Sequence, residues 1–124
     1  MKTAKFSGKG GPIKASVALS KKRDGSYELR LWERDVNSKV PPSPWSGNFI
    51  NLDDDEYSLP RPNDDNDGRM LECLPSVSVP QGASPVTVSL VVRQDGKELG
   101  RDDKDIAPGA AGEFVALWMQ LKEA

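Results

Sequence analysis

The sequence predicts an all-β fold, an antiparallel β-sandwich or flattened barrel of about seven to eight strands. Three observations lead there. Apolar and polar residues alternate with period two in several short runs. Ten prolines and eleven glycines punctuate those runs and leave little length for helices. The turn signals are spaced as short strands joined by tight turns require.

Residues 1–12 read as a flexible basic N-terminal arm, because Ser7 to Pro12 offers little to pack and ends in turn formers. The Gly-Lys-Gly-Gly run inside it lacks the spacing and the strand-to-helix setting of a phosphate loop. A single β-sandwich domain is then expected over 13–124. Ile13 to Glu33 reads as a hairpin. Ile13, Ala15, Val17 and Leu19 share one face of its first strand, and Tyr27, Leu29 and Leu31 share one face of its second. Asp24-Gly25 supplies the turn. Asp35 to Pro44 is a connection, because Pro41, Pro42 and Pro44 cannot lie in a central strand. Asn48, Ile50 and Leu52 fit a short strand. Asp53 to Gly68 is a polar stretch with seven carboxylates. Arg69 to Pro75 reads as a strand.

Pro85 to Gly100 is the clearest core signal. Val86, Val88, Leu90 and Val92 fall on one face, and Asp95-Gly96 follows as a hairpin turn. Asp102 to Gly112 is a second acidic connection. The last segment fits two periods. As a strand it aligns Val115, Leu117, Met119 and Leu121, with Phe114 and Trp118 opposite. As a helix it aligns Phe114, Leu117, Trp118 and Leu121. The antiparallel context selects the strand.

A chain of 124 residues with a single cysteine, Cys73, must build its core without an intrachain disulfide. No apolar run approaches the length of a membrane span, and the lysines near Met1 precede no apolar signal region. The chain therefore reads as cytoplasmic, or as exported without a visible signal peptide. The net charge of −2 conceals an asymmetry. Residues 1–23 hold seven basic residues and no acid, which leaves ten basic and nineteen acidic residues in the remainder. The basic front and the acidic body can attract one another within or between subunits.

With no histidine in the chain, Ser-His and Cys-His catalysis and imidazole metal sites are excluded. One cysteine cannot make a thiolate zinc site alone. The chain is therefore not expected to be an enzyme, and no cofactor is expected apart from calcium. Asn63 to Gly68 matches the first half of a calcium loop, but Leu74 stands where its closing glutamate belongs. An irregular site would use Asp53, Asp55, Asn63, Asp65 and Asp67. Otherwise the stretch is a solvated acidic surface for a basic partner.

Trp32 is a large aromatic among charges, between Arg30 and Arg34. Either a loop or the arginine stems cover its ring, or it anchors a ligand or partner. Trp32, Trp45 and Tyr57 together could supply the aromatic platform of a sugar site. Nucleic acid would use the basic first strand with Tyr27 or Trp32, and the acidic remainder argues against it. The expected function is thus a non-catalytic binding or assembly module that recognises a protein partner or its own copies. Lys2 to Arg23 of one subunit would then face Asp53 to Asp67 of another. The alternative is a carbohydrate-binding, lectin-like module, calcium-assisted through residues 53–67.

Overall fold

The computed structural model describes residues 1–21, 23–34, 38–49, 55–109 and 115–124. Among them, nine strands form two packed sheets, one or two more strands than the sequence pattern predicts. The strands are β1 (Lys2–Phe6), β2 (Ile13–Leu19), β3 (Gly25–Trp32), β4 (Trp45–Asn48), β5 (Asp55–Ser58), β6 (Met70–Val77), β7 (Val86–Gln94), β8 (Lys97–Ile106) and β9 (Leu117–Glu123). The larger sheet runs β1-β9-β6-β3-β4 and the smaller β5-β2-β7-β8. A single turn of 3-10 helix spans Asn63–Asn66. Among the described residues no helix is long and apolar enough to cross a membrane.

The β7–β8 hairpin forms as the sequence predicts. Asp95 and Gly96 both take positive φ, at 53° and 75°, the geometry that matches the right-handed twist of a two-residue hairpin. Val86, Val88, Leu90 and Val92 are all fully buried. The final segment is a strand, with Leu117, Met119 and Leu121 buried on its inner face.

Four expectations need correction. Ile13 to Glu33 is not a hairpin. β2 pairs with β5 and β7, while β3 pairs with β4 and β6 in the other sheet. Their apolar faces meet across the core. Alternation identifies a half-buried strand but cannot say whether its successor lies beside it or opposite it. The acidic run after Gly100 is not a connection, because β8 continues to Ile106 and pairs with β7 along its length. Its outward acids are held by hydroxyls of the neighbouring strand. Thr87 Oγ1 donates to Asp105 Oδ1 at 2.7 Å, and Ser89 Oγ to Asp103 Oδ1 at 2.5 Å. Charges on an edge strand also discourage strand addition.

The flexible arm is the third correction. Residues 2–6 form β1, which runs parallel to β9 and buries Ala4 and Phe6 completely. The glycine-rich turn behind it is pinned. Gln94 accepts from the Ser7 N–H and donates to the carbonyls of Ser7 and Gly11. Fourth, the polar stretch 53–68 contains β5, whose Tyr57 lies opposite Ala15. The strand expected around Asn48, Ile50 and Leu52 is β4, which ends at Asn48; Ile50 and Leu52 lie outside the described residues.

Cys73 lies fully buried in the middle of β6, between Leu29 and Leu117 on the adjacent strands. Burial, assisted by the nearby Glu72 charge, pushes its thiol up from 9.0 to about 12. An unfolded chain would release this proton near pH 9 while the native state retains it. The contribution to stability is therefore complete below pH 9 and is lost as pH rises towards 12. Melting curves from pH 8 to pH 10.5 should fall more steeply for the native chain than for Cys73→Ala, with a difference approaching ~1.4 kcal/mol per pH unit. Parallel profiles would contradict this assignment.

Candidate functional site

The residues singled out in the sequence do not converge on one site. Trp32 ends β3 on the outer face of the larger sheet, directly across from Met70. It is half-buried. Its indole N–H donates to Glu72 Oε1 at 3.0 Å, and Lys39 Nζ stands 5.8 Å from its ring. The covering group is thus a lysine from the following loop. Arg30 lies on the same face and pairs with Glu28 at 2.5 Å and Glu72 at 3.6 Å. Arg34 pairs with Glu33 at 3.1 Å and donates to the Asp65 carbonyl at 3.4 Å.

Trp45 and Tyr57 belong to a different place, the edge where β4 lies over β5. Their rings stack at 5.5 Å and 27°. The hydroxyls of Tyr57 and Tyr27 are 2.6 Å apart, and Tyr27 packs on Phe49 at 5.2 Å. This cluster bridges the two sheets and packs against the core. Trp32 projects from the outer face, so the three aromatics do not form a single sugar platform.

The candidate calcium ligands also diverge. Asp53 lies outside the described residues, and Asp55 contributes its backbone to β5 opposite Val17. Asn63 is buried, and its amide Nδ2 donates to the carbonyls of Gly10 and Gly11 at 3.0 and 2.9 Å. Its side chain therefore ties down the β1–β2 turn. Asp67 Oδ1 accepts the Glu123 N–H at 2.8 Å, which anchors the end of β9. Asp65 is exposed. Among the described residues no three His, Cys, Asp or Glu side chains stand close enough to hold a metal ion. Part of the basic front meets its acids within the same chain. Lys14 Nζ lies 3.5 Å from Glu56, and Lys2 Nζ lies 3.8 Å from Asp102.

Among the described residues, a concavity lies at the opposite edge of the sandwich and follows from the strand lengths. β1 starts at Lys2, which aligns with Met119. Leu117 and Trp118, the first residues of β9, therefore have no β1 neighbour. The gap opens into a groove of about 690 Å³ that runs from β8 around this edge onto the outer face of β9, lined by Met1, Lys2, Met70, Asp102, Lys104 and Trp118. Asp102, on the inner face of β8, is largely buried, and its Oδ2 accepts the Trp118 backbone N–H at 3.0 Å. The carboxylate takes the place of the missing strand at this point. Lys104 is exposed and forms no ion pair among the described residues. The groove thus combines an apolar floor of Trp118 and Met70 with ammonium groups at its rim. Its one carboxylate is already engaged.

Sequence reading missed Met1, Lys2, Asp102 and Lys104, which it assigned to an arm and a connection. One signal was present. A two-residue hairpin turn at Asp95-Gly96 demands a return strand about as long as β7, and that length carries β8 through Asp102 and Lys104 to Ile106.

Replacing Asp102 with alanine leaves the Trp118 N–H without its acceptor and should cost about 1–3 kcal/mol in urea unfolding. Asp102→Asn keeps an acceptor oxygen and should retain most of that stability. Equal losses for the two variants would assign the effect to the Lys2 ion pair. In comparisons with family models, with curated proteins and with solved structures, the chain matches none.

Proposed function

We propose that the chain is a non-catalytic interaction module that takes an extended segment of a partner protein into the groove between β8 and β9. The observation that carries this reading is the groove itself, about 690 Å³ and floored by Trp118 and Met70. That volume falls within the ~300–1,000 Å³ range of ligand pockets. Tryptophan provides a large, rigid contact area and methionine an adaptable one, as partner-binding surfaces require. Met1 adds to the same wall and is 71% exposed. Trp118 is half-buried, and its backbone is held in place by Asp102, so the floor is organised before any partner arrives.

A display library of random peptides selected on the native chain tests this. Recovered peptides should lose at least ~10-fold in affinity on Trp118→Ala, the loss expected of a central interface anchor. They should keep it on Arg101→Ala, whose side chain lies on the far face of the smaller sheet. Recovery of no binder, or of binders indifferent to Trp118→Ala, would overturn the proposal.

A further inference from the structure

We infer that the segment bound in this groove is acidic, with an apolar anchor side chain flanked by carboxylates; the inference rests on the interaction-module reading above. Two separate features of the surface carry it.

The first is the charge inside the groove. Lys2, Lys104 and Asp102 line it. Asp102 is largely buried, accepts the Trp118 N–H and lies 3.8 Å from Lys2 Nζ. Lys104 forms no ion pair among the described residues, and its neighbours Asp103 and Asp105 lie on the opposite face of β8. One positive charge is therefore left over above an apolar floor, where a carboxylate would be held by charge while its neighbour is buried.

The second feature lies along the same strand. Trp118, Gln120 and Lys122 alternate on the outer face of β9. The parallel register sets Lys5 directly across from Lys122. Both lysines are exposed, and neither forms an ion pair among the described residues. Like charges directly opposite each other across a strand pair repel and destabilise the sheet. An anion placed between them removes that cost. Trp118 and Lys122 are four residues apart, about 13 Å along a strand. An extended peptide has the same rise. An apolar side chain over Trp118 then places a carboxylate four residues away beside the Lys5–Lys122 pair, while one adjacent to the anchor meets Lys104.

A nucleic acid fits this surface less well. Its phosphates carry one charge per nucleotide. Glu72 and Asp102 flank Trp118, so the unit seated over that ring must be neutral, which a peptide's apolar anchor is and a charged nucleotide is not.

The test uses a blocked peptide of about nine residues, the length of an extended segment that spans the surface. It has apolar residues at its centre and two glutamates at each end. Its glutamine and lysine counterparts and an oligothymidylate of similar length serve for comparison. The glutamate peptide should bind at least ~10-fold more tightly than the glutamine peptide at low salt, and this advantage should disappear at ~0.5 M salt. Lys104→Glu and Lys122→Glu should each reduce the advantage. Both lysines are exposed, so Lys104→Glu should leave the melting temperature unchanged, and Lys122→Glu, which sets an opposite charge across from Lys5, should not lower it. Trp118→Ala should weaken the glutamate and glutamine peptides alike. If the glutamine peptide binds equally well and still depends on Trp118, the acidic preference is wrong and the groove reading stands. Absence of binding by either peptide, preference for the lysine peptide, or tighter binding of oligothymidylate would overturn the inference.

Discussion

β1 closes this molecule. It runs parallel to β9 on one side, and β8 of the other sheet presses against it from across the core. The approach is close. A methyl group at Gly100 of β8 would lie 3.2 Å from the Thr3 carbonyl oxygen, 3.1 Å from the Ala4 Cβ and 3.0 Å from the Met119 sulfur. Glycine at this position lets the two sheet edges meet. Phe6 is buried completely at the far end of the strand, which contributes about 1.5–3 kcal/mol and fixes the register.

The groove follows from where that closure stops. β1 covers β9 from Met119 onward and leaves Leu117 and Trp118 without a neighbour. Asp102 satisfies the exposed Trp118 N–H with a side chain instead of a strand. The parallel register also sets Lys5 opposite Lys122. The strand that seals the core thus leaves the apolar floor open and sets the Lys5–Lys122 pair beside it. At its other end the strand is secured by the turn 7–12, whose carbonyls are bound by the amides of Asn63 and Gln94.

The core was legible in the sequence where apolar alternation was unbroken. Val86 to Val92 and Leu117 to Leu121 lie as the pattern requires, and the Asp95-Gly96 turn joins β7 to its partner. β1 was not legible. Its inward residues are Lys2, Ala4 and Phe6, too few and too mixed to stand out from a basic tail, and its stability comes from non-local pairing. β8 was hidden for a related reason. Its inner face carries Gly100, Asp102 and Lys104, chosen for close approach and for the groove instead of for the core. Trp45 and Tyr57 were noticed for their type, but their neighbours could be assigned only once β4 was known to lie over β5. Asn63 was read as an oxygen ligand, whereas its nitrogen does the work. The amide can serve in either role, and only the surrounding carbonyls decide between them.

Amide hydrogen exchange in β1 tests this account most directly. The native chain should protect the β1 amides that pair with β9 nearly as well as those of β6, because both belong to one cooperative sheet. Exchange of residues 3–6 at the rate of a free peptide, with β6 and β9 still protected, would contradict it. The edge of the sandwich would then be open, and the groove between β8 and β9 would lose the wall that defines it.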